Sequence, residues 1–309
     1  MKILHNVSPQ QVSWVKSNKN RLEKNTSIKT LYYPVTISEL VDLLHTLKNS
    51  NQEFDIIGHS SNTLFLPSYK CDNLICTKEL KSWYETDDSI VCDCGVNVAN
   101  LSKQMVAKGY MGFEGLTDLP GTIAAGVYGN CGCRGCSVNE LVQSFQLLLP
   151  DGTIKELGVN DLKLSKRNTS LKRGELKGVI LSVKLKKVQG NAEELIRLME
   201  QNHQIRLKQQ PSGTNNLGTT FIGGKQFTAK GRIFKKLELI VSMLTRNPDR
   251  RRNFPIVLRI TGNGRFAPYV YYWNRYMFQD ADSHLLFPEY MEFLQSLYKD
   301  VRLEIEIRK

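Results

Sequence analysis

The sequence predicts an α+β fold in two domains, and three observations carry that expectation. Short apolar runs and amphipathic helical stretches alternate as strand, helix, strand, then further strands and another helix. A chain of 309 residues, 41 % of them hydrophobic, is long enough for two cores. The composition shifts between residues 190 and 220, so the domains are drawn as 1–190 and 191–309.

The elements follow in order. YYPVTISELVDLLHTLKNS, 32–50, runs from an extended piece into a helix, with Ser38 as N-cap and Leu40, Leu43, Leu44 and Leu47 on one face. FDIIG, 54–58, is a short buried strand that leads into a polar loop. NLICT and SIVCDCG are further strands, and NVANLSKQMVAKGY is a second amphipathic helix. LVQSFQLLLPDGTIKEL forms a hairpin turning at Pro150, Asp151 and Gly152, residues suited to a tight turn. LKGVILSVKLKKV, 176–188, alternates as a strand, and NAEELIRLMEQNHQIRLKQQ is a long helix. A helix around HLLFPEYMEFLQSLYKD precedes VRLEIEIRK, a single strand with Val301, Leu303, Ile305 and Ile307 on one face.

Charge and cysteine content narrow the function classes. The formal net charge is +12, and Phe221 to Arg275 holds twelve Lys or Arg against two acids, Glu238 and Asp249. Such a block suits phosphates, nucleotides, nucleic acid or an anionic membrane surface, or is a solvated face. The run Arg246–Arg252 lacks the interleaved aromatics that stack single-stranded bases, so nucleic acid is not expected. No apolar stretch reaches the roughly 18 residues of a membrane span. The N-terminus lacks the apolar core of a secretory signal, so a soluble cytoplasmic protein is expected. Seven cysteines in such a chain are expected as reduced thiols. C-x-C-x-x-C at Cys131, Cys133 and Cys136 has no second ligand pair nearby, so no metal is expected.

Two segments are built for close backbone approach. In IIGHSSNTLF, Gly58 allows a sharp exit from the strand, and the N–H groups that follow, with Ser60, Ser61, Asn62 and Thr63, suit a phosphate. LPGTIAAGVYGNCGCRGC, 119–136, spends seven positions on glycine or alanine between Gly121 and Gly135, at a cost in chain entropy. Two such segments in one domain suggest a dinucleotide, although neither fits G-x-G-x-x-G.

Together, IIGHSSNTLFL and FEGLTDLPGTIAAGVYGNCG resemble the flavin domain of the UDP-N-acetylenolpyruvoylglucosamine reductases. Gly58, Ser61, Asn62 and Leu64 match that family's G-x-G-S-N-x-L loop. Pro120, Gly121, Thr122, Asn130 and Gly132 match its I-P-G-T-x-G-G-A-x-x-x-N-A-G segment, and Ile180 with Leu181 fall on the strand that follows. The resemblance covers about residues 25–221. It implies a two-subdomain FAD-binding fold of the vanillyl-alcohol-oxidase (PCMH) type, with a second, divergent α+β substrate domain. Gly58, His59, Ser60, Ser61, Asn62, Thr63, Leu119, Pro120, Gly121, Thr122, Ala125, Gly126, Asn130, Gly132 and Ile180 would hold FAD. The cofactor is expected to be non-covalent, with a bond from His59 or Cys131 as the alternative, and NADPH is the family's electron donor.

In that family a serine hydroxyl donates a proton while an arginine and a glutamate stabilise developing negative charge, roles with clear physical sense. The family's Y-R-x-S meets Lys166-Arg167-Asn168-Thr169, which places Arg167 on the arginine. An ungapped reading from Gln210-Pro211 puts Thr219 on the serine. LEIEIR places Glu306 on the glutamate, the alternative being an exposed acid on an edge strand. Between Ile222 and Asp300 the family's substrate-domain motif is missing. Tyr269, Tyr271, Tyr272, Trp273 and Tyr276 there line a cleft or join the core. The expected activity is therefore that of a paralogous FAD-dependent oxidoreductase acting on a nucleotide sugar or related small molecule. The alternatives are a sugar or alcohol dehydrogenase of the same fold, or a flavin-binding protein without turnover.

Overall fold

Leu40, Leu43, Leu44 and Leu47 are all buried and define helix α1 (Ile37–Asn49) in the computed structural model, which describes residues 1–15, 27–66, 68–209, 216–246 and 249–309. The N-cap is Thr36 rather than Ser38. Thr36 is extended and its hydroxyl accepts from the Glu39 N–H at 3.1 Å. Ser38 lies within the first turn and donates to Asp42.

The chain divides into two units that are not split by one cut. The first takes Met1–Val7, Ser27–Ser60 and Lys70–Gln210; the second takes Ser8–Thr26, Ser61–Tyr69 and Pro211–Lys309. The chain therefore crosses from one unit to the other inside the polar loop, between Ser60 and Ser61.

The first unit holds two sheets. Four strands run in the order Lys2–Val7, Ile28–Tyr33, Cys71–Cys76, Asp55–Ile57, the first pair antiparallel and the rest parallel. Five strands form an antiparallel sheet in the order Ile154–Gly158, Val142–Leu148, Val179–Lys186, Ser89–Asp93, Trp83–Glu85. The expected hairpin joins two of these, with Gly152 at φ 93° and the Asp151 carboxylate taking both the N–H and the hydroxyl of Thr153. The leucines of α1 pack with Ile75 of the first sheet and with Leu148 and Leu181 of the second, so one helix face ties the two sheets together.

Helices α2 (Val98–Ala107), α3 (Ile123–Tyr128) and α4 (Val138–Leu141) bury Val98, Leu101, Ile123, Val127 and Val138 in one core with the five-stranded sheet. Helix α5 (Ala192–Gln209) sends Leu195 into that same core. A boundary at 190 would cut α5 from its packing partners, and the division places it in the first unit instead.

The second unit is built on helices α6 (Ala229–Leu244), α7 (Arg250–Ile260) and α8 (Ala281–Leu297) around an aromatic core. Tyr276, Tyr290, Phe221, Phe254, Phe266, Phe278 and Phe287 are among the largest side chains buried there. Tyr269, Tyr272 and Trp273 pack against it, and Tyr290 donates its hydroxyl to Trp273 O at 2.7 Å. Most of the aromatic run thus joins the core, where large rings gain most from burial. The final segment is two short strands, not one. Arg302–Leu303 pairs antiparallel with Phe221–Ile222, and Glu306–Arg308 pairs parallel with Thr63–Phe65. Its alternation reads as one strand, but its hydrogen-bonding partner changes midway.

Close backbone approach also fixes the end of the strand Ser89–Asp93. A Cβ on Gly95 would collide with the backbone carbonyls of Thr77 and Leu80. Gly95→Ala is expected to lower stability by about 1–3 kcal/mol through overpacking, read as a shift in the urea unfolding midpoint. An unchanged midpoint would show that this contact is not tight in solution.

Candidate functional site

Three segments of the first unit converge where the small residues cluster. The strand Asp55–Ile57 ends at Gly58, and a Cβ there would lie 2.5 Å from the Thr122 hydroxyl oxygen. Thr122 forms an antiparallel bridge with Asn97, flanked by Val98 N–H to Gly121 O at 3.1 Å and Ile123 N–H to Val96 O at 2.8 Å. Ala124 N–H reaches Cys94 O at 3.1 Å. Thr122 is also the N-cap of α3, its hydroxyl accepting from Ala125 N–H. One threonine therefore closes a helix, meets a strand exit and joins the Cys94–Val98 segment.

The backbone here uses left-handed geometry at two points. Gly121 has φ 129° and Ser60 has φ 53°, and Gly121, Thr122 and Ser60 are all buried. Gly126 is buried too, and Ala125 is exposed on α3. Leu119 N–H turns back to Leu116 O, and Ile180 is buried in its strand opposite Leu147.

Asn97 Oδ1 accepts from Asn100 N–H at 2.9 Å as the N-cap of α2. Its amide nitrogen, 3.1 Å from His59 Nδ1, must then be the donor. His59 is thereby the neutral tautomer that carries its proton on Nε2. Burial, joined by the nearby charge of Lys78, lowers the His59 pKa below the ordinary 6.5. Asn97 and Lys78 were not singled out from sequence, although Asn97 stands at a recognisable helix start.

The second half of the glycine-rich stretch is a knot rather than an open loop. Gly132–Cys133 and Cys136–Ser137 form a small hairpin, with Arg134 and Gly135 both at positive φ, as a type I′ turn requires. Asn130, at φ 47°, donates to Ser165 O at 2.7 Å and accepts from Asn139 Nδ2 at 3.1 Å. Arg167 donates to Asn130 O at 3.2 Å and to Gly132 O at 2.6 Å. The side chains of Asn130 and Arg167 thus hold this turn. Cys136 Sγ accepts from Gly115 N–H, and burial pushes its thiol up to about 11.

Pro120 is half-buried beside Gly121 in the first unit, and the other predicted residues lie in the second. Asn62 donates from Nδ2 to Glu304 O at 3.2 Å, and its own carbonyl accepts from Glu306 N–H at 2.9 Å. Thr63 is the register partner of Glu306. Glu304 N–H donates to Thr220 O at 2.9 Å. Backbone bonds therefore join the segments carrying Ser61, Asn62, Thr63, Thr219 and Glu306. Thr219 is half-buried, whereas Thr220 is fully buried and its hydroxyl accepts from Tyr276 N–H at 3.1 Å. Gln210 and Pro211, from which Thr219 was aligned, lie outside the described residues, as do residues 247–248 of the basic run.

Comparison with known proteins gives this geometry a class. Residues 28–158 match the family model described as an FAD binding domain. The chain is 25 % identical over 213 residues to the UDP-N-acetylenolpyruvoylglucosamine reductase of Thermosipho melanesiensis, covering 69 % of this chain and 70 % of that one. It is 24 % identical over 194 residues to the corresponding reductase of Caldicellulosiruptor saccharolyticus, 62 % of each. The matches thus take in about two thirds of the relatives' lengths. Among solved structures, the UDP-N-acetylenolpyruvylglucosamine reductase of Thermus caldophilus superposes with a TM-score of 0.69 at 18 % identity, covering 100 % of this chain and 98 % of that one, a likeness of fold. The chain carries an FAD-binding domain. Over about two thirds of its length it is similar to the UDP-N-acetylenolpyruvoylglucosamine reductases.

The residues present fit that cofactor. Segments 57–60, 94–98 and 119–126 carry no acidic side chain, and they offer glycine backbone, the hydroxyls of Ser60 and Thr122, and the charge of Lys78 nearby. Such a surface suits a pyrophosphate.

The neutral His59 has a consequence for pH. Its pKa is lower folded than unfolded, so its contribution to stability is complete above 6.5 and is lost as the pH falls through the lowered value. His59→Gln is expected to flatten the acid limb of the stability–pH profile; His284, lowered by burial in the same direction, leaves a residual slope. An acid limb identical to that of the wild type would contradict the half-buried neutral state of His59.

Proposed function

We propose that the chain is an FAD-dependent oxidoreductase that reduces a nucleotide sugar bearing an enolpyruvyl group, with NADPH as electron donor. The observation that carries this reading is the match to an FAD-binding domain over the converging segments at Gly58, Asn97 and Thr122. FAD, when bound, supplies a carrier that accepts and passes on a hydride.

The chain's own residues divide the remaining work. Gly58, His59, Ser60, Gly121 and Thr122 bind the cofactor's phosphates, with Gly58 and Gly121 allowing the backbone to come close. Ser61, Asn62 and Thr63 continue that loop, and the Asn62 bonds to Glu304 and Glu306 keep its shape. Thr219 holds a proton on Oγ1 for the carbon next to the one reduced, a general-acid role. Glu306 sits on the same backbone network, at the position that the resemblance gives to the glutamate acting where negative charge develops. Arg167 serves as a positioning residue, since its guanidinium holds the carbonyls of Asn130 and Gly132. The dehydrogenase and non-catalytic readings remain the alternatives that the assay separates.

The adjacent threonines make the test sharp. With UDP-N-acetylglucosamine enolpyruvate and NADPH, Thr219→Val is expected to lower kcat about 10²-fold or more while retaining full flavin content and stability. Thr220→Val is expected to do the reverse, since it leaves the buried Tyr276 N–H without its acceptor at a cost of about 1–3 kcal/mol. Glu306→Gln is expected to lower kcat without loss of flavin. If the wild type reduces this substrate and neither Thr219→Val nor Glu306→Gln affects turnover, the catalytic assignment is wrong. A flavin that NADPH reduces but the substrate does not reoxidise would direct the search to other acceptors.

A further inference from the structure

Helix α6 has two apolar faces, and only one of them is covered. Its inner face buries Phe234 and Val241 with Gly231 and Glu238. On the other side Ile233, Leu239, Ile240, Met243 and Leu244 are each between 49 % and 79 % exposed. At 3.6 residues per turn these five side chains occupy an arc of about 140°, and Arg232 and Lys236, both exposed, lie within it. Single exposed apolar residues are ordinary, but five side by side on one helix mark a contact surface. The only acid on α6 is Glu238, which is on the buried face.

We propose that this face of α6 docks onto an anionic phospholipid surface. Ile233, Ile240, Met243 and Leu244 enter the boundary between headgroups and acyl chains, while Arg232 and Lys236 meet lipid phosphates. The combination of apolar and basic side chains on one helix face is what an interfacial helix requires. A second copy of the chain suits it poorly. A two-fold contact sets the same patch against itself, which brings Arg232 and Lys236 against their own counterparts. The surroundings favour an anion as well. Lys235 and Lys230 lie over the rings of Phe227 and Phe293, at 4.7 and 5.7 Å, and Phe221 to Arg275 carries twelve bases against two acids. The helix is held rigidly for such a contact, because Asn253 of α7 donates to Ser242 Oγ at 2.7 Å and accepts from Thr245 Oγ1 at 3.2 Å. No described helix is long and apolar enough to cross a membrane, so the contact is peripheral. This inference does not depend on the flavin chemistry.

The test is co-sedimentation of the full-length protein with vesicles of phosphatidylcholine alone and of phosphatidylcholine with phosphatidylglycerol in equal parts. The wild type is expected to pellet with the anionic vesicles at low salt and to stay in solution with the neutral ones. The triple variant Ile240→Ser, Met243→Ser, Leu244→Ser and the double variant Arg232→Gln, Lys236→Gln are each expected to bind at least about tenfold more weakly. All five positions are exposed, so circular dichroism and the unfolding midpoint should match the wild type. A wild type that ignores anionic vesicles would overturn the proposal, as would a triple variant that binds them equally well. Sedimentation equilibrium adds one more decisive outcome: a wild-type dimer that the triple variant dissolves, with no vesicle binding, would assign the face to a second copy.

Discussion

The contact between Gly58 and Thr122 is the constraint on which the proposed cofactor site depends. A strand exit and a helix start can meet this closely only if one partner has no side chain, because a Cβ at Gly58 would lie 2.5 Å from the Thr122 oxygen. The same logic recurs one layer away, where Gly95 lies against the carbonyls of Thr77 and Leu80. These approaches leave the chain between Cys94 and Val98 bracketed on both sides, and Thr122 bridges it at Asn97. The many small residues of 119–136 thus serve two purposes. Those up to Gly126 let the backbone come close to the strand exit at Gly58 and to the start of α2. Those from Asn130 onward build a turn that Arg167 holds by two carbonyls.

A second constraint governs the loop after Gly58. Its first residues belong to one unit and its last to the other, and Asn62 spends its side chain and its carbonyl on the backbone at Glu304 and Glu306. The loop's polar character therefore has a structural use besides the cofactor role proposed for it. The same backbone network reaches Thr220, whose hydroxyl is committed to Tyr276, and leaves Thr219 half-buried beside it. Two neighbouring threonines with equal chemistry thus stand in different surroundings.

Much of the first unit was legible because its signals are local. The four leucines of α1, the Pro150-Asp151-Gly152 turn and the Asn97 helix start each declare themselves within a few residues, and the two segments built for close backbone approach meet each other at Gly58 and Thr122. What was not legible depends on partners distant in sequence. The cap of α1 fell to Thr36 because its extended backbone allows the cap bond to Glu39. The closing strand broke in two because Phe221–Ile222 claims one half and Thr63–Phe65 the other. Helix α5 belongs with the core ahead of it because Leu195 packs there, a fact that no composition shift can reveal. Arg167 matched a motif, but only its two carbonyl partners show that it holds a turn. The aromatic run was open between cleft and core, and the packing of Tyr276 against Phe278, Phe287 and Tyr290 shows where its most buried ring went.

The most direct measurement is FAD binding, followed by absorbance and flavin fluorescence, for the wild type beside Gly58→Val. The wild type is expected to carry or take up one FAD per chain, which denaturation releases intact. Gly58→Val is expected to fold yet bind FAD poorly, because its side chain displaces Thr122. A wild-type protein that stays colourless when supplied with FAD, or a Gly58→Val variant that binds it equally well, would contradict the site described here.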